Sequence, residues 1–396
     1  MRILIATITA GGGHLAAAAA LEEAWRAARP DDVLERIDLL KFFSPLHRKI
    51  HSDGYLQLVE RAPEIWGMVF AKTDNPKVAR AMNKLKRTFP SASRKKFERH
   101  VKQFKPDVVL CTHYLPLELL GLTASSASAT PASRKKTAGK TSGTPVVTGR
   151  APGMPFVVSI VTDFEAHALW MEPCVDLYCV AAEETKARLI ARGAGADAIV
   201  ATGIPIAAKF SAKVDVKAVR RNYGLRDDLR VLLVLSGGFG MGPVAEILEQ
   251  LDKVAGEFQT VVVTGRNEEL RRDLAAQDRK HPTLVLGYSS NMHELMAIAD
   301  LVITKPGGLT SSEALAMGRP LFILNPIPGQ EAANSDFLLE RGAAGKVNRV
   351  EDLPYRIEQL LGTKKLTQMA SAAKGLGRAH AAKAVCVEVL KRVVAE

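Results

Sequence analysis

Short, β-branched apolar runs recur along this chain with helix-compatible stretches between them: ILIATI, VLERIDLL, DVVLC, FVVSIVTD and DLYCV in the first half, then RVLLVLSG, TVVVTG, LVLG, DLVITK and PLFILN. Near-continuous apolar strands alternating with helices specify parallel sheets whose two faces are covered by crossover helices. The runs suffice for two such sheets, and 396 residues exceed one ordinary core, so two α/β domains are expected. The strand pattern lapses across TGIPIAAKFSAKVDVKAVRRNYGLRDDLR before a new strand at Arg230, which divides the chain at 1–209 and 210–375. A C-terminal helix, 376–396, is free to pack back on the first domain. Residues 122–155 are rich in Ser, Thr, Ala, Gly and Pro around a basic centre; they lack the apolar surface to order themselves and read as a flexible insertion.

The first strand, Ile3 to Ile8, runs into TAGGGHLAAAAAL, and Leu21 and Trp25, four apart, mark one face of the helix that follows. Gly12 and Gly13 let the backbone approach a ligand and aim the helix's free N–H groups at an anion or polar group, with His14 at the mouth. The same turn also reads as a tight strand–helix connection carrying an incidental histidine.

The theme returns in VLLVLSGGFGMGPVAEIL, where Gly237, Gly238, Gly240 and Gly242 do not fit G-x-G-x-x-G and no Gly-Lys-Ser/Thr is present, which disfavours dinucleotide and P-loop chemistry. It returns again in DLVITKPGGLTSSEALAMGRP. There Thr310-x-x-Glu313 matches a capping box, while Glu313 equally suits a carboxylate gripping a vicinal diol. Gln330, Glu331 and Asn334 in NPIPGQEAANSDFL can bond sugar hydroxyls or cap the next helix. TDFEAHALWMEPCVDLYCV sets Asp163, His167 and Trp170 beyond a strand, where a histidine beside an aromatic is more often structural than catalytic.

A net charge of +12 calls for an acidic partner class: nucleic acid, an anionic membrane surface or a phosphate-bearing substrate. Residues 77–105 are densely basic, and Phe97, Val101 and Phe104 would form one apolar stripe on a helix there, either a solvated surface helix or a membrane contact. Cys111, Cys174, Cys179 and Cys386 have neither zinc-site spacing nor the density of a disulfide scaffold and are expected to be buried thiols. No run approaches the roughly 18 to 20 apolar residues of a membrane helix, and the first apolar stretch is too short for a secretory signal, so a cytoplasmic location is expected.

Taken in order, GGGH, TDFEAHALWMEPCVDLYCV, GGFGMGP, GYSSNMHELMAIADLVITKPGGLTSSEAL and IPGQEAAN resemble the processive diacylglycerol glycosyltransferases, which include the monogalactosyldiacylglycerol synthases; the resemblance covers nearly the whole chain outside 122–155. It implies a GT-B fold, two facing Rossmann-like domains with parallel sheets, and transfer of a hexose from a UDP-sugar to diacylglycerol with inversion, giving a β-glycosyl-diacylglycerol. On the acceptor side it implies His14 as general base with Gly12, Gly13, Tyr55, Trp66, His167 and Trp170 around the lipid, and Ile65 as a further apolar contact. On the donor side it implies Gly240, Met241 and Gly242 at the diphosphate, Arg266 and Met292 by the nucleotide, and Gly307, Gly308, Leu309 and Thr310 around the phosphates. Glu313 would take the ribose, and Gln330 and Glu331 the sugar hydroxyls. No Asp-x-Asp motif occurs, so neither metal nor cofactor is expected. The family's GPGT is GGLT here, and GGFG stands where GGEG or GGGG is frequent. In this context the basic segments read as a contact with an anionic membrane, peripheral on the inner face of the cell membrane.

Three other readings share parts of these features. N-acetylglucosaminyl transfer to an undecaprenyl-linked peptidoglycan precursor uses the same fold and a similar donor motif. A UDP-sugar 2-epimerase would need no lipid and would leave 41–105 without a purpose. A nucleic-acid-binding protein rests on charge alone, without an RNP-like strand or a helix-turn-helix signal.

Overall fold

The structure, a computed structural model, describes residues 1–9, 12–45, 48, 62–75, 78, 91–127, 154–237, 242–324 and 326–394. The chain divides into two compact units, Met1–Pro205 with Ala381–Glu396, and Ile206–His380.

The first unit is built from β1 (Arg2–Thr7), α1 (Gly12–Ala28), β2 (Val33–Asp38), α2 (Pro63–Thr73), α3 (Ser91–Phe104), β3 (Val108–Cys111), α4 (Tyr114–Ala127), β4 (Phe156–Ile160), β5 (Leu177–Val180), α5 (Glu183–Ala191) and β6 (Ile199–Ala201). Its strands are all parallel, in the order β2-β1-β3-β4-β5-β6. Side chains alternate across the sheet, so neighbouring residues serve opposite cores. Ile3, Ile5, Val108 and Leu110 face Leu21 and Trp25 of α1, whereas Leu4, Ala6, Val109 and Cys111 face Phe97 of α3 and Leu115 of α4.

The second unit runs α6 (Val216–Asn222), β7 (Arg230–Leu235), α7 (Val244–Leu251), β8 (Phe258–Val263), α8 (Glu268–Ala275), β9 (Thr283–Leu286), α9 (Met292–Ile298), β10 (Leu301–Thr304), α10 (Gly308–Ala316), β11 (Leu321–Leu324), α11 (Gln330–Glu340), β12 (Ala344–Val347), α12 (Leu353–Glu358) and α13 (Lys364–Leu376). Its sheet is likewise parallel, in the order β12-β11-β10-β7-β8-β9. Ile206–Ser211 belongs to this unit because Phe210 is buried edge-on to His293 of α9 and the 3-10 turn Ala208–Ser211 packs against α10.

The chain then returns as α14 (Ala381–Val393), whose Val385, Cys386 and Val389 are buried in the α1 side of the first sheet. The ten expected strands are all present, and β6 and β12 are additional. These two pair at the outer edges of their sheets; β6 is only three residues long, and β12, Ala-Gly-Lys-Val, has a single β-branched residue, so neither stands out in sequence.

Strand order fixes where a ligand can enter. In the first unit the chain steps from β1 out to β2 and returns on the other side of β1 with β3; in the second it steps from β7 through β8 and β9 and returns beside β7 with β10. At such a switch point the connections leave the sheet in opposite directions and open a crevice beyond the carboxyl ends of the two strands. These crevices lie at β1/β3 and β7/β10.

Candidate active site

The β1/β3 crevice is floored by His14, in the first turn of α1, and by the residues that follow β3. His14 Nδ1 lies 2.9 Å from the Thr112 carbonyl oxygen and 3.0 Å from Thr162 Oγ1, at the end of β4. A carbonyl oxygen only accepts, so Nδ1 carries the proton and the basic lone pair of the neutral ring sits on Nε2. Burial lowers the His14 pKa, against the opposing influence of the Asp163 charge and the Thr112 carbonyl, and the ring is therefore neutral near pH 7. The Thr112 hydroxyl lies 2.9 Å from Thr7 Oγ1 and 3.1 Å from the His14 carbonyl oxygen, tying the start of α1 to two strand ends.

An aromatic cluster surrounds this base. His113 meets His14 edge-on at 4.7 Å between ring centroids, Tyr114 lies 4.2 Å from His113, and Trp170 stands perpendicular to Tyr114 at 6.2 Å. His14 and Trp170 thus share one cluster.

His167 and Trp66 are in another. His167 is 5% exposed; its Nδ1 accepts the Leu169 N–H at 3.1 Å, and its Nε2, carrying the proton, donates to the Phe70 carbonyl at 3.0 Å. Its ring lies against Phe70 at 4.4 Å, and Phe70 against Trp66 at 6.1 Å. Asp74, just beyond α2, accepts the Ala168 N–H at 2.9 Å and pairs with Arg192 at 2.5 Å. Both ring nitrogens of His167 are therefore spent on bolting the end of α2 to the Val161–Met171 connection, the geometry of a positioning residue. Gly12 and Gly13 open α1 beside His14, and Tyr55 lies outside the described residues.

In the β7/β10 crevice, α10 starts at Gly308 with Gly307 as its N-cap and no side-chain cap. The Thr310-Glu313 capping box is not formed: β10 ends at Thr304, so the helix begins three residues before the position a box would give it, and both residues lie inside it. By contrast α6 and α8 are capped by Asp215 and Asn267. The leading N–H groups of α10 are left for another acceptor. Gly307 adopts φ −63°, open to any residue, and an added Cβ would meet no described atom within 4 Å, so neither strain nor packing asks for glycine there. Asn334, fully buried on α11, donates to the Pro306 carbonyl at 3.1 Å and fixes this turn.

Gly242 has φ +126° and lies alongside the aliphatic part of Lys305, whose Cε would stand 3.7 Å from a Cβ there. Lys305, from the turn that precedes α10, thus runs alongside Gly242. Gly240 and Met241 lie outside the described residues. Glu313 is half-buried in α10, and desolvation pushes its carboxyl up to about 8 against the charge of Lys209. Lys209 is held by the Ser290 carbonyl at 2.6 Å. At the rim, the Arg266 guanidinium lies 5.7 Å from the Tyr288 ring, which is 69% exposed, and Met292 begins α9. Gln330 and Glu331 open α11; one Glu331 oxygen accepts the Ile327 N–H at 2.9 Å, closing the loop before its own helix.

Sequence reasoning missed Thr112, His113, Tyr114, Thr162, Tyr288 and Lys305 as site residues. The signal for the first three was a polar-aromatic Thr-His-Tyr directly after the apolar run DVVLC, and for Lys305 the cation inside TKPGG.

Comparison with known proteins agrees with this architecture. The family model for monogalactosyldiacylglycerol (MGDG) synthase matches residues 14–129 and 148–206, and that for the glycosyltransferase family 28 C-terminal domain matches 232–385. The processive diacylglycerol beta-glucosyltransferase of Bacillus cereus (strain ATCC 10987 / NRS 248) is 30% identical over 384 residues, spanning 95% of this chain and 90% of that protein. Among solved structures, Acinetobacter baumannii MurG superposes with a TM-score of 0.57 at 16% identity, covering 98% of this chain and 99% of that one. The S. aureus MnaA–UDP structure does so at 0.60 and 12%, covering 100% and 97%. These two share the fold of two parallel-sheet units.

Proposed function

This chain belongs to the family of diacylglycerol glycosyltransferases that includes monogalactosyldiacylglycerol synthase, and on that premise we propose that it moves a hexose from a UDP-sugar to diacylglycerol with inversion, producing a β-glycosyl-diacylglycerol. The observation that carries the reading is His14, held neutral at a switch point with its basic lone pair on Nε2. As the lipid hydroxyl oxygen bonds to the anomeric carbon, Nε2 takes its proton and the anomeric carbon–oxygen bond to UDP breaks, the electron pair leaving with the diphosphate. A single displacement inverts the centre.

The leaving charge is met by the open N–H groups of Gly308, Leu309 and Thr310 and by the Lys305 ammonium. Glu313 takes the ribose diol, Arg266 and Met292 adjoin the nucleotide, Gly242 gives the diphosphate room, and Gln330 and Glu331 lie toward the hexose. Gly12, Gly13, Trp66 and Trp170 line the lipid side, and His167 holds that side in place. With N–H groups and a lysine at the leaving group and no Asp-x-Asp in the chain, we assign the transfer no divalent cation, and full turnover in the presence of EDTA is expected.

Substrate access calls for peripheral docking on the inner, anionic face of the cell membrane. On α3, Phe97 is buried with Val101 and Phe104 packed beside it, which leaves Lys95, Lys96, Arg99 and Lys102 outward. On α2, Ile65, Met68 and Val69 are 51%, 57% and 42% exposed. Each cation near such a surface contributes about 1 kcal/mol. Among the described residues no helix is long and apolar enough to cross a membrane.

The deciding experiment is product analysis by mass spectrometry with purified protein, diacylglycerol in anionic vesicles, and UDP-glucose, UDP-galactose, UDP-glucuronate or UDP-N-acetylglucosamine. A glycosyl-diacylglycerol from one donor, lost in His14→Ala while UDP still binds, is the expected outcome and names the hexose. UDP-sugar turnover without lipid would transfer the reading to an epimerase.

A further inference from the structure

Three adjacent strands of the first unit end in threonine or run directly into one: Thr7 closes β1, Thr112 follows β3, and Thr162 follows β4 after Val161. All three converge on the start of α1. The Thr112 hydroxyl lies within hydrogen-bonding distance of Thr7 and of the His14 carbonyl oxygen, while the Thr112 carbonyl and the Thr162 hydroxyl flank His14 Nδ1 at 2.9 and 3.0 Å. Thr162 is 5% exposed, so its hydroxyl works in a poorly solvated setting.

We propose that Thr162 is a positioning residue for the base, its hydroxyl oxygen sharing the Nδ1–H with the Thr112 carbonyl and thereby orienting the ring and supporting the positive charge it takes on when Nε2 accepts the lipid proton. This rests on His14 being the base of the proposed transfer. In the ground state the shared proton belongs to a neutral ring, and the hydrogen bonds are of ordinary strength. When Nε2 receives the lipid proton the ring becomes imidazolium, and the same two Nδ1–H contacts become charge-assisted bonds of roughly twice the strength. The gain arrives with the transition state, where it accelerates the reaction. In many histidine bases a carboxylate occupies the Nδ1 side; here Asp163 acts on the ring as a nearby charge while the two oxygens at Nδ1 are neutral. The other titratable group against the ring is His113, edge-on from the β3–α4 connection.

Removing an acceptor from Nδ1–H withdraws support from the imidazolium, so the His14 pKa falls and the base becomes weaker. Thr162→Val, which replaces the hydroxyl with a methyl group of similar size, is therefore expected to lower kcat about tenfold, with KM for the UDP-sugar unchanged. The acidic limb of the kcat/KM pH profile should move to lower pH, because the weaker base stays unprotonated further into acid. Thr162→Ser should restore both rate and limb.

The assay uses the full chain on diacylglycerol in anionic vesicles. Wild-type kcat with an unmoved limb in Thr162→Val would overturn the role of Thr162. That result is distinguishable from failure of the base itself, which would show as native turnover in His14→Ala. A readout independent of activity is the titration of the His14 ring followed by NMR: its midpoint should lie at lower pH in Thr162→Val than in the wild type and in Thr162→Ser. An unmoved midpoint in Thr162→Val would sink the proposal even if that variant were too slow to assay.

Discussion

Glu313 is half-buried in α10 with the charge of Lys209 as its counterweight, and desolvation pushes its carboxyl up to about 8. Between the ordinary carboxylate pKa of about 4.3 and that value the folded protein holds a proton the unfolded chain has lost. The protonated group's contribution to stability is thus complete below the lower value and disappears as pH rises through the upper one. In the proposed transfer Glu313 grips the ribose diol, a contact that favours the carboxylate, so nucleotide binding is expected to expel the proton. UDP affinity measured by calorimetry should rise from pH 7 toward 9, by at most about tenfold per pH unit, and Glu313→Gln should bind more weakly with that rise removed. Gly307 separates binding from folding in the same way. Its φ of −63° and the open space around its Cβ position predict that Gly307→Ala alters stability by less than about 0.5 kcal/mol. The new methyl group at the helix mouth should nevertheless weaken UDP binding tenfold or more, as read by thermal denaturation beside calorimetry. At this scale sequence located the glycine turns and His14 but left Thr310 and Glu313 open between a capping box and a donor contact. Their spacing matches a capping box, and only the point where β10 releases the chain shows that the helix starts earlier.

The end of α2 and the connection after β4 form one mechanical joint, made by His167, Asp74 and Arg192. His167→Ala removes both ring bonds, at about 0.5–1.5 kcal/mol each, while the Phe70 carbonyl keeps the Asp74 N–H and the Thr73 hydroxyl. Because the joint belongs to the first unit, KM for diacylglycerol should rise while UDP affinity in the second unit stays constant; initial rates and calorimetry read the two separately. The joint could not be seen in sequence, where Asp74 and His167 are 93 residues apart and nothing in their spacing joins them. Apolar stripes were legible but not their destinations. The Phe97, Val101 and Phe104 stripe of α3 is spent on the core, so the cations alone face outward. For α3 this predicts vesicle binding that weakens with salt and falls when Lys95, Lys96, Arg99 and Lys102 are changed to glutamate, tested by co-sedimentation.

Across the whole molecule, the first sheet is closed by α14, which joins the unit after the chain has travelled through all of Ile206–His380. Two parallel sheets could be read from the alternation of strands and helices because buried strands write themselves as continuous apolar runs. The burial of α14 could not, since Val385, Cys386 and Val389 form only a modest stripe. Those three side chains contribute about 1.5–3 kcal/mol each, comparable in sum with the whole stability of a domain. A chain ending at His380 should therefore lose the first unit and keep UDP binding. All three tryptophans, Trp25, Trp66 and Trp170, lie in the first unit, so their fluorescence reports its unfolding without interference from the second. The late arrival of α14 also orders events at the ribosome. The second unit, continuous in sequence, can complete its core during synthesis, whereas the first emerges earlier yet waits with the α1 side of its sheet only partly covered until α14 has been made. In the cell that interval is when the nascent chain most needs a chaperone.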